Sequence, residues 1–489
     1  MKRQAGHLHE RWGKPMAGPR SRPLGPGKRS RRGTILIVTM WILMALVGLV
    51  LVLGRSMRVE GGCSANEAAA LAADAIEQGA IQYVLVNVDS LQGAVPSETD
   101  MPCQAVRLGD GAFWIIRDNS DNDREYAFGV VDEASKVNLN RASADMLSLL
   151  PGMTADLAAS IVDWRDPDEV PSQGGADSSY YMLLDDPYQS KKSPLETVEE
   201  LLLVAGMSRE ILYGEDTNRN GVLDINEDDA NDTEPPDNRD GRLDKGPGPF
   251  VTVYSRERNV PAAGNPRINV DDVKQTDDLI KLLQRKDNRT RDQIRSQIQQ
   301  IREQIPGRRY GNILRFYDCY CLRTPNGWTV SDFLAIAGRI TAAGSGGSSQ
   351  GLINVNTAPR EVLTCLGLGE NDVSALLAKR ADGSADPNSI AWVLQALGNS
   401  ATAARIGDYI TTRSYQFSAD IVSLAGNGRA FRRCRIVVDA SNSPPKVVYR
   451  QDLTHLGWPL QEDILTRLRS GGSLDDIVVS TGSVSTSYR

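Results

Sequence analysis

The sequence TILIVTMWILMALVGLVLVLG occupies residues 34–54 and has no charged side chain. At ~1.5 Å of rise per residue, a helix over this stretch is about 31 Å long, which is enough to cross a bilayer. The leader before it, at positions 1–33, contains ten Lys or Arg and one acid, Glu10. Because basic flanks stay in the cytoplasm, the pattern predicts a single-pass membrane helix with a cytoplasmic N-terminus and a body on the opposite side of the membrane.

The rest of the chain has the composition of a globular protein. Of its 489 residues, 40% are hydrophobic and 24% charged, which leaves room for two or three domains. The net charge is −7, and without the leader's +9 the residues from 34 onward carry −16, which disfavours nucleic acid and favours cations or basic partners. His455 is the only histidine after the leader, which argues against His-based catalysis or zinc. The six cysteines are compatible with one or two disulfides and also with free buried thiols, and the sequence does not decide between them.

The junction before the apolar stretch reads Arg31-Arg32-Gly33. A cleaved signal peptide would have a shorter apolar core and a small-residue site, whereas Arg55 follows here. A plain signal anchor stays open as an alternative. The junction also resembles the processing site of type IV-like prepilins, which are cut on the cytoplasmic side after Gly. This resemblance implies cleavage after Gly33, with Thr34 as the new N-terminus.

Beyond the membrane stretch, a helix is predicted over Glu67 to Val88. A stripe of small side chains at helical spacing suggests which face packs on a sheet. The members of this stripe are Ala68, Ala72, Ala75, Gly79, Gln82 and Val86. Alternation and turn signals predict strands on both sides of a long helical region. These strands are 104–108, 112–117 and 125–131 before it, and 415–424, 430–439 and 446–453 after it.

A repeated segment lies in the helical region. Asn138 and Asn140 match Asn354 and Asn356, which lie the same number of residues further along the chain. Each pair of asparagines leads into a short predicted helix that ends near a Gly. A third, partial copy lies at Ile268 to Asp271. The repeat therefore predicts related helical units.

The first and last copies have a helix-hairpin-helix pattern. Ser143 in the first copy, and Asn356 or Thr357 in the last, are expected to cap the first helix of each pair. Such hairpins can bind the DNA backbone through their amides, but the first copy has Met153 where a second Gly would expose them, and acidic residues surround it. We therefore favour a structural role and expect no nucleic-acid partner.

An acidic loop, DTNRNGVLDINE at residues 216–227, has the spacing of an EF-hand-type calcium loop. Such a loop needs oxygen donors at alternate positions, Gly at position 6, a main-chain carbonyl at position 7 and a final bidentate Glu. The predicted ligands are Asp216, Asn218, Asn220, the carbonyl of Val222, Asp224 and Glu227. The predicted cofactor is calcium in a structural role, and a solvated acidic loop without an ion is the alternative.

A second run, residues 238–244, has the middle of this pattern without its ends. Asn238, Asp240 and Asp244 are its candidate ligands, for a weaker second site. The sequence does not give the number of ions.

Most pilin-like proteins carry Glu at the fifth mature position, where this chain has Val38. A carboxylate inside the membrane needs a partner; in such assemblies it is the N-terminal amine of the subunit above, which a tip subunit lacks. With the order of motifs, this departure makes the chain resemble the K-type minor pseudopilins of type II secretion (general secretion pathway protein K). The resemblance implies an α+β, pilin-like fold, in which a long N-terminal helix packs on an antiparallel sheet that a large, mainly α-helical inserted domain interrupts.

The resemblance also implies an order of domains. They are a basic prepilin leader at 1–33, an N-terminal helix at 34–92 with its transmembrane part at 34–54, the first part of the pilin-like β domain at 93–139, the inserted helical domain at 140–413 with calcium loop 216–227, the second part of the sheet at 414–460, and a tail at 461–489 expected to be disordered.

The implied role is not enzymatic. A protein of this family would sit at the tip of the type II secretion pseudopilus, initiate its assembly and take part in protein secretion across the outer membrane. The implied partners are the other minor pseudopilins, the major pseudopilin and the prepilin peptidase, with the outer-membrane channel and secreted substrates as further candidates. Two alternatives from other classes stay open: a membrane-anchored helix-hairpin-helix protein for DNA binding or uptake, and an anchored hydrolase, against which the single histidine of the body argues.

Overall fold

The described chain begins with α1, a helix of 58 residues over Arg32–Asp89. The chain divides into two compact units, Met1–Ala65 and Asn66–Arg489. In the first unit, the side chains of residues 34–60 are exposed on all sides of the helix. By length and composition this helix is apolar enough to cross a membrane. It therefore agrees with the predicted single-pass anchor.

A computed structural model describes residues 32–473, except 92, 97–99, 120–121, 231, 259–266, 325–326 and 343–347. The predicted leader up to residue 31 and the tail from residue 474 lie outside the described residues. The strands are β1 (Val106–Leu108), β2 (Gly111–Arg117), β3 (Ala127–Phe128), β4 (Val131–Asp132), β5 (Val137–Asn138), β6 (Val251–Thr252), β7 (Arg256–Arg258), β8 (Ile268–Asn269), β9 (Ile340–Thr341), β10 (Ser348–Gln350), β11 (Ile353–Asn354), β12 (Ile410–Thr411), β13 (Gln416–Leu424), β14 (Phe431–Asp439) and β15 (Lys446–Asp452).

The helices after α1 are short and lie mostly between β5 and β12. They are α2 (Ala144–Leu147), α3 (Ala155–Arg165), α4 (Ser178–Tyr181), α5 (Arg209–Tyr213), α6 (Thr276–Leu283), α7 (Arg291–Gln304), α8 (Ile313–Cys319), α9 (Val330–Ala337), α10 (Arg360–Thr364), α11 (Glu370–Ala381), α12 (Trp392–Leu397), α13 (Ser400–Ile406) and α14 (Glu462–Arg469). The mixture of helices with an antiparallel sheet agrees with the predicted α+β class.

One antiparallel sheet joins strands from both ends of the sequence. Its order is β1-β2-β13-β14-β15, with β3 beside β2 and β4 beside β13. In the central pair, Ile115 lies opposite Ile421, although the whole helical region separates them in the chain. The strands predicted before and after the helical region therefore form a single sheet.

The two faces of this sheet have different cores. Phe113 and Ile421 point to the face covered by the part of α1 after residue 65, whereas Trp114 and Val422 point to the other face. This alternation follows from the two-residue period of a strand.

The buried face of α1 is not the predicted one. Residues 68, 72, 75, 82 and 86 are exposed and Gly79 is half-buried, whereas Ala73, Ile76, Ala80 and Val84 are buried. The buried face of the helix is displaced by one residue from the expected stripe. This rotation buries the β-branched side chains of Ile76 and Val84, and burying their apolar area stabilises the fold.

The predicted disordered tail is partly wrong. Residues 462–469 form α14, whose Ile464, Leu465 and Leu468 pack into the same core as Trp114. These side chains recur at helical spacing, so the tail folds as far as they can cover the outer face of the sheet.

The helical region contains the repeated segment three times. In each copy a two-residue strand ending in Asn pairs in parallel with a strand ending in Thr. The Asn–Thr pairs are Asn138 with Thr252, Asn269 with Thr341, and Asn354 with Thr411. The partial third copy therefore shares the strand pairing of the other two.

The predicted helix caps are found in only one copy. Ser143 accepts a hydrogen bond from the Met146 amide and caps α2, as expected. In the other copy Pro359 occupies the cap position of α10, and Thr357 donates instead to the buried Asp132 at 2.7 Å. The long-range partner displaces the local cap because a buried carboxylate left without donors is costly.

Candidate metal centre

The loop at residues 216–227 is closed by hydrogen bonds to its own acidic side chains. Asp216 accepts the amides of Asn220 and Gly221, both at 3.0 Å. The side-chain amides of Asn218 and Asn220 both donate to Oδ2 of Asp224, at 2.6 and 3.0 Å. The predicted ligands at positions 1, 3, 5 and 9 are thus brought together.

The last predicted ligand, Glu227, is 1% exposed and closes the loop from its other end. One of its carboxylate oxygens accepts the Thr217 amide at 3.2 Å, and the other accepts the Asp224 amide at 3.1 Å. Val222, whose carbonyl is the predicted position-7 ligand, lies in the same closed turn and is also buried.

The turn requires left-handed backbone at two positions. Arg219 has φ of +57° and Gly221 has φ of +74°. A Cβ atom on Gly221 would lie 2.2 Å from Oδ1 of Asp118, which is far inside contact distance. Glycine at position 6 is therefore needed for the backbone angle and also for the close approach of Asp118.

The electrostatics of the loop favour a cation. Burial, and then the charges of Asp216 and Asp224, raise the pKa of Glu227 to about 8. Burial, and then the charge of Asp118, raise the pKa of Asp216 to about 6. A cation among these carboxylates would compensate their mutual repulsion, which adds to the effect of burial on both pKa values.

The second run, residues 238–244, has the same local geometry as the middle of the first loop. Asn238 donates to Oδ2 of Asp244 at 2.9 Å, as Asn218 does to Asp224. Arg239 and Gly241 repeat the positive φ angles, at +53° and +75°. Asp240 accepts the amide two residues further along, at 2.9 Å.

The ends of the second loop come from elsewhere in the chain. Prolines stand at the positions that correspond to Asp216 and Glu227, namely Pro236 and Pro247. Asp228 accepts the Gly241 amide at 3.1 Å, and Glu215 accepts the Asp244 amide at 2.9 Å. These bonds repeat those of Asp216 and Glu227 in the first loop.

The residues that end the second loop were missed in the sequence analysis. Glu215 and Asp228 flank the first loop directly, one on each side. An acid at each outer edge of a complete loop was the available signal, but the two residues come together with 238–244 only in three dimensions.

The donor set of both loops consists of carboxylate, amide and carbonyl oxygens, the chemistry that calcium prefers. Over residues 32–473, outside the gaps given above, no group of three or more His, Cys, Asp or Glu side chains is arranged to hold a metal by itself. The fit of the loops to a hard cation therefore depends on the asparagines and the main-chain carbonyls as well as the acids.

Three arginines donate to main-chain carbonyls of the two predicted hairpins. Arg165, at the end of α3, donates to the carbonyl of Ala142, and Arg380 of α11 donates to that of Ala358. Arg405 donates to the hairpin carbonyl of Gly367 at 2.9 Å. These cations are engaged in holding the helix pairs together, which gives no support to a phosphate-binding surface.

The predicted processing site lies at the start of α1. The described backbone begins at Arg32, so Gly33 and Thr34 belong to the first turn of the helix. The leader before them lies outside the described residues.

Comparison with known proteins finds similarity to a component of the type II secretion system in one segment of the chain, from β4 to α5. Residues 131–213 match the family model described as Type II secretion system (T2SS), protein K. Within that system the match is thus to protein K, and the resemblance predicted from the sequence is confirmed over this segment.

The other comparisons add little. No curated protein matches the chain. A chain in "The Crystal Structure of the GspK-GspI-GspJ complex from enterotoxigenic Escherichia coli Type 2 Secretion System" aligns at 14% identity over 81% of this chain and 98% of its own, with a TM-score of 0.35. At that score the alignment supports no conclusion about this chain.

Proposed function

We propose that this chain is a minor pseudopilin at the tip of the type II secretion pseudopilus, where it initiates assembly and takes part in protein secretion across the outer membrane. The observation that carries the proposal is the match of residues 131–213 to protein K of this system. Val38 in place of the usual Glu supports the tip position, because a tip subunit has no amine above it to compensate a carboxylate in the membrane.

The proposed fold is pilin-like, with the helical domain inserted into the sheet at 140–413. Its support is the pairing of β2 with β13 and the packing of α1 residues after 65 on one face of the sheet. The chain leaves the sheet after β4 and returns to it at β13. An insertion of this kind needs its two ends close together, which adjacent strands provide.

The proposed location is the inner membrane, with the N-terminus in the cytoplasm and the body in the periplasm. The charge asymmetry across residues 34–54 supports this orientation. We propose that the prepilin peptidase cuts after Gly33, so that Thr34 begins the mature protein.

The proposed partners are the other minor pseudopilins and the major pseudopilin. The outer-membrane channel and secreted substrates are further candidates. The role is assembly and not catalysis.

The proposed cofactor is calcium, bound in both loops. The first ion would be held by Asp216, Asn218, Asn220, Val222, Asp224 and Glu227. The second would be held by Asn238, Asp240 and Asp244, completed by Glu215 and Asp228, and the matching hydrogen bonds at both loop ends support this set. Bound calcium supplies positive charge that compensates the carboxylates, and its role here is structural.

The first test of the proposed function is the mature N-terminus. Co-expression with a prepilin peptidase, followed by mass spectrometry of the intact protein, is expected to show loss of residues 1–33. A Gly33→Val variant serves as the control and is expected to keep the leader. Retention of the leader by the unmodified chain in cells with active peptidase would refute the pseudopilin proposal.

A further inference from the structure

Arg433, on β14, has a fully buried side chain. It lies on the opposite face of the sheet from Cys434, which belongs to the core beneath α1. Its Nε and Nη2 atoms donate to the two carboxylate oxygens of Asp420 on β13, each at 2.9 Å. This bidentate pair occupies one side of the guanidinium group and leaves donors on the other side.

The remaining donors of Arg433 point into the loop at 216–227. Nη1 donates to the carbonyl of Asn218 at 2.5 Å, and Nη2 donates to that of Arg219 at 2.7 Å. These carbonyls belong to loop positions 3 and 4. A buried cation that lost them would keep donors without acceptors, which is costly. The closed loop and the sheet therefore stabilise each other.

A second bond joins the same loop to the end of the chain. Nδ2 of Asn220 donates to the carbonyl of Pro459 at 3.1 Å. The adjacent Trp458 packs edge-on against Trp114 and Phe431, at 6.1 and 5.3 Å between ring centroids. The segment then continues into α14, which covers the outer face of the sheet.

We propose that loop 216–227 is a calcium-dependent latch for the C-terminal segment, residues 457–469. The inference rests on the proposed calcium binding. An ion that holds Asp216 and Glu227 together fixes the carbonyls that Arg433 binds and the amide that binds Pro459. When the ion leaves, the attraction that holds Asp216 and Glu227 together is lost, so the loop opens more often and the C-terminal segment loses this attachment to the sheet.

The test is hydrogen exchange of the full chain in detergent, with calcium and with chelator, after calorimetry has measured the calcium affinity. At ten times the dissociation constant, linkage slows exchange controlled by ion release by about 11-fold. We expect this slowing in residues 457–469. The internal reference is α11 (Glu370–Ala381), which contacts α10 and α12 and is expected to show no change.

Two variants separate the latch from general stabilisation. Asn220→Asp keeps an oxygen ligand at position 5 but removes the donor to Pro459, so at ten times the variant's own dissociation constant the slowing in residues 457–469 is expected to disappear. Arg433→Lys keeps the charge but loses the planar fork, and is expected to reduce the same slowing. The matched control is Arg432→Lys, whose side chain binds Asp74 and not the loop; it is expected to behave like the unmodified chain.

The outcomes distinguish the latch from the ion on which it depends. Calcium binding with equal exchange of residues 457–469 in both conditions would overturn the latch and leave the metal proposal intact. An Asn220→Asp variant that binds calcium and retains the full slowing would also overturn the latch. No binding of calcium by the unmodified chain would overturn both.

Discussion

The two acidic loops have the same backbone turn but obtain their ends differently. The first loop carries all six proposed ligands within residues 216–227, whereas the second carries only its middle, at 238–244. Glu215 and Asp228, which flank the first loop, provide at the second the contacts that Glu227 and Asp216 provide at the first. The difference teaches that a set of candidate metal ligands can be brought together in space while its sequence motif is incomplete.

The largest expected effect is the removal of calcium from both loops. At 100 times the dissociation constant each ion stabilises the fold by about 2.7 kcal/mol, so two ions contribute about 5 kcal/mol. Urea unfolding with calcium and with chelator measures this difference. Equal free energies of unfolding in the two conditions would show that neither loop binds the ion.

The contributions of the two loops to calcium binding are distinguished by removing one terminal carboxylate at a time. Glu227→Gln and Glu215→Gln are each expected to reduce calcium binding from two ions to one, with a loss of about 2.7 kcal/mol of calcium-dependent stability. Calorimetric titration measures the number of ions bound. Glu303→Gln, in the exposed part of α7, is the control and is expected to bind two. If Glu215→Gln still binds two ions, the assignment of Glu215 as a ligand of the second loop is wrong.

The glycines at position 6 give a smaller contrast. Alanine at a positive φ costs about 1 kcal/mol in either loop. A Cβ atom on Gly221 would also lie 2.2 Å from Asp118, whereas one on Gly241 would lie 2.9 Å from the end of the Arg124 side chain. We expect Gly221→Ala to lower the free energy of unfolding by about 2 kcal/mol or more and Gly241→Ala by about 1 kcal/mol. Equal losses in urea unfolding would contradict this order.

The smallest effect is expected at Arg124, which supports only the second loop. Its exposed side chain donates from Nη2 to the carbonyl of Gly241 at 2.9 Å. Loss of one such hydrogen bond costs about 1 kcal/mol. Arg124→Ala should therefore weaken the second ion by about fivefold or less and leave the first unchanged in a calorimetric titration. A change in the first affinity would mean that the loops respond as one unit.

Local patterns were enough to find most of the elements. The strands predicted at residues 112–117, 415–424 and 430–439 have nearly the predicted limits. The register of β2 with β13 could not be obtained in this way, because it depends on which of several apolar strands packs best beneath α1. The rotation of α1 and the folding of α14 were also missed, because each depends on which apolar side chains fit against a face of the assembled sheet.

The sequence by itself determined the apolar anchor, the basic flank before it, the alternation of the strands and the complete first loop. These features depend on neighbouring residues, whose spacing sets helix and strand faces and the reach of metal ligands. The tertiary structure alone decided that Glu215 and Asp228 end the second loop, and that Arg433 joins the first loop to the sheet. Those contacts join residues distant in sequence, and they form only where packing buries their charges and supplies their partners.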